Sequence, residues 1–488
     1  MKLKKSYFLS AILIIIAVIS LITILLRVNS TKKNEFKCPD CNIILINLDA
    51  LRADHLGIYG YGKNTSPNID NFAKNSYVFN NSISQSGNTF FSVPSYLTSQ
   101  LPSTNNLTRV ILDGRAGILK EAPVTIAEIL KQKGYHTYGI ISYSMVGSKR
   151  GFSQGFETFD EKCSENGGFY CFADSTTERA INLLNKSSEQ PFFMWVYYRE
   201  PHSPYNPPLR VFEKFNSTNE SNQALNELNE SRQYYDQKIE ELLANNASKK
   251  QNRTEYTLFG EEIYLNTEDI EWLKNAYDGN IYYADEQLGM LLNYLNESGL
   301  LKKTIVIITS DHGEILGEHE FFDHGPLYYE GIHTPLIIYF PKHKGGTINY
   351  PVSNLDIAPT ILEGTGLNTP FNFSGKNAFD GNREDYIQFA EHYKASTIIK
   401  DGWKLMTYGS SDECNPKNEK LFYIINDSKE NFNLAYENVA MCNYLKGLVL
   451  KIRQNYTFYI NEIDNEIEIS QNEDSETIKK LEALGYVG

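Results

Sequence analysis

The stretch Thr304–His324, TIVIITSDHGEILGEHEFFDH, decides how the rest of the chain is read. Its opening run, Thr304–Thr309, is almost unbroken in apolar and β-branched residues, the pattern of a strand buried on both faces. Asp311 and His312 follow almost at once. Ligands of open α/β sheets gather beyond the carboxyl ends of the strands, so a carboxylate beside an imidazole at that edge is a natural pair of metal ligands. Taken alone, the pair is equally well an acid capping the next segment and a satisfied histidine. A second run of the same kind, Asn42–Leu48 (NIILINL), ends directly in Asp49. Strand ends on one edge converge in space however far apart they lie in sequence. Asp49, Asp311 and His312 thus form a set that can hold one divalent cation with open positions.

Outward from these runs, apolar strands alternate with amphipathic helices. Pro67 opens a helix capped by Ser66; Pro123–Lys133 repeats the logic, with Gly134 as terminator. Strands are expected at Thr137–Ser142, Phe192–Tyr198 and Pro335–Phe340, and helices at Ala173–Asn185, Thr267–Ser298 and Asp356–Glu363. This alternation predicts an α/β fold with a mostly parallel sheet flanked by helices. From Phe215 to Glu262 the composition turns to Asn, Glu, Lys and Ser, read as a polar, partly helical surface insertion (215–262). Beyond Gly381 the strands become short and alternating (DYIQFAEH, STIIKD, GWKLMTY, KLFYII), which suits a small antiparallel sheet. The expected organisation is a catalytic domain over 42–375 and a C-terminal subdomain over 376–488.

A net charge of −14 argues against a nucleic-acid backbone as partner. Tyr7–Leu26 is an uncharged apolar run of spanning length, preceded by Lys2, Lys4 and Lys5 and followed by no small-x-small cleavage site. It reads as an uncleaved single-pass anchor (7–26) with the catalytic domain outside the cytoplasm. Sequons at Asn64, Asn80, Asn106, Asn216, Asn252, Asn372, Asn426 and Asn455 fit a glycoprotein on that side. The 6 cysteines fall into pairs: Cys38 with Cys41, Cys163 with Cys171, and Cys414 with Cys442. In an exported chain these are expected to be disulfides.

A hydroxyl candidate stands in TFFSVPSYLTSQLPS. There Ser92 is placed just before a helix start, with Pro94 in the first turn. A helix N-terminus and an adjacent cation both favour the alkoxide, although a serine before a helix is more often a plain N-cap.

Taken together, the ordered blocks resemble the sulfatases of the alkaline phosphatase superfamily over nearly the whole of the chain after residue 42. LDALRADHLGIYGY resembles the first metal-site motif, SVPSYLTSQLPS the nucleophile motif, and WVYYREPHSPYNPP the substrate-histidine segment. DGNIYYADEQLGMLL, TSDHGEILGEH, DHGPLYYEGIHTPLII, LDIAPTILEGTGL, GWKLMTY and LEALGYVG resemble later blocks in the same order. The resemblance implies an alkaline phosphatase-like fold. It makes Asp49, Asp311 and His312 metal ligands, and Ser92 both ligand and nucleophile. His202 would bind the ester oxygens or serve the leaving group, and His324 would face the transferred group. Arg52 would orient the nucleophile or pair with Asp49. The ion would be one divalent metal, calcium, manganese or zinc.

The departures from the family pattern carry equal weight. Where typical members have paired acids in the first motif, this chain has Ala50 in the second position. The arginine that a maturation enzyme reads before oxidising Cys or Ser to formylglycine is replaced by Tyr96, and a few residues are missing between Ser95 and Leu97. Formylglycine at Ser92 is therefore in doubt. The leading expectation is a metal-dependent hydrolase of sulfate esters, acting on sulfated glycans outside the cell. A phosphoesterase or a phosphoethanolamine- or phosphoglycerol-type transferase, with unmodified Ser92 and a phosphorylated glycan or lipid substrate, is the alternative. An inactive surface binding protein is the third.

Overall fold

The computed structural model of the chain describes residues 36–104, 124–165, 170–186, 191–215, 237–238, 254–258, 261–383, 385–392, 395–409, 411 and 413–460. At its centre lie three parallel strands: β1 (Asn42–Leu48), β5 (Phe192–Tyr198) and β6 (Thr304–Thr309). Each is buried at every position, which is why their sequences run apolar without alternation. Side chains of successive residues point to opposite faces. Ile44, Ile46 and Leu48 of β1 pack into one core with Val306, Ile308, Met194 and Val196, while Ile43 and Leu45 pack into another with Ile305, Ile307, Phe193 and Trp195.

The remaining strands of this sheet are β2 (Tyr77–Phe79), β3 (His136–Ile141), β4 (Thr158–Asp160), β7 (Leu336–Tyr339) and β8 (Gly346–Ile348), giving the spatial order β8-β2-β7-β6-β1-β5-β3-β4. β6, β1, β5, β3 and β4 run parallel in sequence along the sheet, and β7 is antiparallel to both β6 and β2. The sheet is thus mainly parallel.

Helices cover both faces. α1 (Pro67–Ala73), α4 (Ala173–Leu184) and the 31-residue α5 (Thr267–Glu297) contribute to the first core. α2 (Thr89–Thr98), α3 (Ile126–Gln132) and α6 (Ile357–Gly364) contribute to the second. Real capping boxes start α3 at Thr125 with Glu128 and α5 at Asn266 with Asp269. A four-stranded antiparallel sheet follows: β9 (Gln388–His392), β10 (Ala395–Lys400), β11 (Trp403–Tyr408) and β12 (Lys420–Tyr423). It is followed by α7 (Val439–Ile460). The cysteines pair as 38–41, 163–171 and 414–442.

Most of the polar stretch 215–262 lies outside the described residues. Residues 237–238 are helical, and the end of the stretch is strand: Thr254–Leu258 pairs antiparallel with Glu261–Leu265, and Thr257 and Leu258 lie beside Phe321 and Phe322 in parallel register. The alternating TEYTL and EEIYL, with Ile263 and Leu265 buried, carry the period of two that compositional reading overlooked. The expected anchor at 7–26 also lies outside the described residues. Among the described residues, no helix is long and apolar enough to cross a membrane.

Candidate active site

Asp49 and Asp311 leave the sheet at the carboxyl ends of adjacent strands, β1 and β6. Together with His312 they bring one ligand atom each to within 4.8 Å of one another, all wholly buried. The imidazole is oriented by its own backbone. His312 Nδ1 lies 2.8 Å from the Gly313 carbonyl, so the donating proton sits there and Nε2 keeps its lone pair. That Nε2 is 3.5 Å from Asp49 Oδ1 and 3.8 Å from Asp311 Oδ2. Burial pushes the His312 pKa down to about 4, which keeps the ring neutral, the form a cation binds.

Asp311 is held by three donors. Its Oδ1 accepts from the Asn47 side-chain amide and the Ala50 backbone N–H, both at 3.3 Å, and its Oδ2 accepts from the Tyr197 hydroxyl at 2.9 Å. Asp49 differs: among the described residues neither of its buried oxygens meets a donor in hydrogen-bonding geometry, the nearby Tyr197 hydroxyl being given to Asp311. Burial, and next the charge of Asp311, push its carboxyl well above the usual range. Two buried carboxylates with one left bare and a neutral imidazole beside them are a donor set short of a positive charge. A divalent cation fits it.

His202 and His324 close on the same point from other segments. The His324 ring stacks on His312 with centroids 4.7 Å apart, and the His202 ring lies 4.8 Å from His324 and 6.2 Å from His312. Their electrostatics differ. Burial pushes His202 well down, so it is a neutral base, its Nδ1 turned to the Ser203 carbonyl at 2.7 Å. Burial would also lower His324, but Asp323, 2.6 Å from its Nδ1, outweighs that and holds it up at about 9. One imidazole able to take a proton and one imidazolium thus stand side by side.

Ser92 stands elsewhere than the sequence reading put it. The helix begins three residues earlier, at Thr89, with Asn88 as the N-cap accepting from the Phe90 N–H. Ser92 is inside the helix, where its hydroxyl donates to the Asn88 carbonyl at 2.9 Å. The hydroxyl that faces His312 belongs to Thr89, with Oγ1 3.1 Å from Nε2. Pro94 accounts for the difference: it is the sixth residue of the helix, past the first turn that a proline usually marks. The Gly87-Asn88 pair was the better signal, since asparagine is a strong N-cap. At Gly87 a Cβ would come 2.8 Å from the Gly325 carbonyl oxygen, so glycine is what lets the residues before Thr89 bridge to the segment carrying His324.

Among the described residues, the Arg52 guanidinium pairs neither with Asp49 nor with the Ser92 or Thr89 hydroxyl. It is committed to Asp54 at 2.8 Å, Glu318 at 3.0 Å and the Glu314 carbonyl at 3.1 Å. The buried cation near Asp49 is instead Arg199, which follows β5. Its guanidinium lies 4.0 Å above the Tyr170 ring and donates to the carbonyls of His202 (3.1 Å) and Pro204 (3.2 Å), fixing the histidine's loop. It lies inside the WVYYREPHSPYNPP block, directly after a buried strand, but the family resemblance singles out only His202 there.

Comparison with known proteins adds an independent line. A family profile described as Sulfatase matches residues 41–367, and one described as N-sulphoglucosamine sulphohydrolase, C-terminal, matches residues 317–455. The chain is 26% identical over 468 residues to the N-acetylglucosamine-6-O-sulfatase of Bacteroides thetaiotaomicron, covering 82% of this chain and 81% of that protein. It is 25% identical over 486 residues to an arylsulfatase of Clostridium perfringens, covering 84% and 94%. Among solved structures, one determined with its substrate D-glucosamine-2-N,6-O-disulfate superposes with a TM-score of 0.68 at 21% identity, over 88% of this chain and 100% of that one. The phosphonate monoester hydrolase of Agrobacterium radiobacter superposes at 0.61 with 18% identity, over 85% and 96%.

Proposed function

The chain belongs to the sulfatase family and is a hydrolase of that family, and from that premise we propose that it removes sulfate from sulfated sugars, with one divalent cation in the site. The observation that carries the reading is the meeting of Asp49, Asp311 and His312 at one buried point, with His202 and His324 against it. The glycan substrate is supported by the glucosamine sulfatase among the relatives and by the disulfated glucosamine in a structural neighbour.

Asp49, Asp311 and His312 would hold the cation, which when bound supplies polarisation of a nonbridging oxygen and favours the deprotonated form of a neighbouring hydroxyl. The chain's own residues do the remainder. His324, kept cationic by Asp323, sets a positive charge against the anionic transferred group. His202, kept neutral by burial, accepts a proton and returns it to the leaving oxygen as the ester bond opens. Arg199 holds the carbonyl of His202, so this base is placed rather than mobile.

We further propose that the catalytic domain stands outside the cytoplasm on the anchor at residues 7–26. The sequons and the three disulfides support that placement. Turnover of 4-nitrophenyl sulfate and N-acetylglucosamine 6-sulfate, before and after chelation, tests the function. Sulfate release that is lost on chelation and regained with a divalent ion is expected. Turnover of 4-nitrophenyl phosphate alone would move the assignment to phosphoesters.

A further inference from the structure

We infer that unmodified Thr89 is the nucleophile of this hydrolase, and that the reaction passes through a threonine ester. The inference rests on the sulfate-ester reading above for its substrate, and on geometry for its residue. Thr89 Oγ1 is 3.1 Å from His312 Nε2, the same nitrogen that lies 3.5 Å from Asp49 Oδ1 and 3.8 Å from Asp311 Oδ2. The hydroxyl therefore shares with both carboxylates the nitrogen around which the three proposed cation ligands gather. It is wholly buried, and Thr89 is the first residue of the ten-residue α2, whose N-terminal partial charge favours an alkoxide.

Competing nucleophiles are occupied. All 6 cysteines are joined in the three disulfides, so no thiol is present to be oxidised. Ser92 lies three positions further along the helix, its hydroxyl turned back on the Asn88 carbonyl. A nucleophile at 89 also accounts for the residues missing between Ser95 and Leu97 when Ser92 is placed on the family motif. The chemistry then changes in kind. Threonine is a secondary alcohol, and its oxidation by two electrons gives a ketone, not the aldehyde of formylglycine. The aldehyde-hydrate route is closed at this position.

The steps balance without an oxidant. The Thr89 oxygen forms a bond to sulfur as the bond from sulfur to the leaving sugar oxygen breaks, and the hydroxyl proton ends on that leaving oxygen. Water then attacks the same sulfur as the Thr89 O–S bond breaks, restoring the hydroxyl and releasing hydrogen sulfate.

The test is acid quenching of the full chain during turnover of 4-nitrophenyl sulfate with a divalent ion, followed by peptide mass spectrometry across residues 85–100. An intact threonine carrying a sulfo group on Thr89 is expected. Thr89→Val, which keeps the shape and removes the hydroxyl, should lower kcat/KM by about a thousandfold or more, with Thr89→Ser restoring part of it. Ser92→Ala should lose far less than Thr89→Val. A sulfo group on Ser92, or Thr89→Val within tenfold of the parent, overturns the inference. If Thr89→Val does not fold, the quench and Thr89→Ser decide. Should the parent turn over no sulfate ester, the functional reading fails instead. The same quench with 4-nitrophenyl phosphate then decides Thr89, a phospho group there upholding the nucleophile and its absence overturning it.

Discussion

At Ala50 the backbone takes φ 60°, a left-handed conformation that costs a non-glycine residue about 1 kcal/mol. That turn points the Ala50 N–H at Asp311 Oδ1 and the Ala50 carbonyl at the Tyr277 hydroxyl, 2.7 Å away. Where the resemblance led one to expect a second acid, this chain uses the position to orient Asp311. With alanine at this position, the acids gathered there are Asp49 and Asp311. Asp311→Asn keeps the shape and removes the charge, so bound metal is expected to fall from about one ion per chain to none, measured by elemental analysis.

Asp49 carries the pH dependence at this scale. Its folded carboxyl is raised above the usual value by burial and then by Asp311, so the folded metal-free chain holds a proton that the unfolded chain releases. In the metal-free protein this contribution destabilises as pH rises from the ordinary carboxyl range through the folded value, and is absent below that range. The melting temperature of chelated protein is therefore expected to fall from mildly acidic to neutral pH by this route. A divalent ion should flatten the profile; an unchanged slope on adding metal would show that the ion binds elsewhere.

At the scale of elements, the buried strands were legible and the helix start at Thr89 was not. Asn42–Leu48, Phe192–Tyr198 and Thr304–Thr309 appear with the bounds the sequence suggested, because a strand covered on both faces leaves an unbroken apolar run. α2 is buried at all ten positions, so no polar face reveals its phase, and Pro94 inside it adds a false start. A helix start set three residues late brings Ser92, instead of Thr89, to the N-terminal position that faces His312.

The link from the segment between β11 and β12 to α7 is a second element-scale matter. Cys414–Cys442 spans 28 residues and brings that helix, with Leu445 and Val449, onto the core beneath the antiparallel sheet. Replacing both cysteines by serine should cost about 3–4 kcal/mol by loop-closure entropy, read as a lower denaturation midpoint. A loss below about 1 kcal/mol would mean that packing of α7 alone suffices.

Over the whole molecule, the C-terminal sheet acts as a brace for the substrate side. Lys404 of β11, wholly buried, meets Glu430 Oε1 at 2.5 Å, and Glu430 Oε2 accepts from the Tyr329 N–H at 2.8 Å. Tyr329 follows His324 by five residues, so this pair joins the second sheet to the segment that stacks on His312. Glu430→Ala would strand a buried ammonium and a backbone donor. A cost of about 3–5 kcal/mol is expected, with turnover falling in the fraction that remains folded. Full activity and an unchanged melt in that variant would show the two sheets to be independent.

The sequence by itself determined the long buried strands and most of the helices between them, the cysteine pairs, and Asp49, Asp311 and His312 at the sheet edge, while His202 and His324 came from the family resemblance. Each is written locally, as an apolar run, a spacing, or a motif at the end of a strand. Only the tertiary structure decided which hydroxyl reaches His312, that Arg199 rather than Arg52 serves the site, and that His202 and His324 differ in charge. Those facts depend on helix phase and on the field of residues remote in the chain. Asp323 beside one ring and burial around the other are relations in space, with no counterpart in the order of residues.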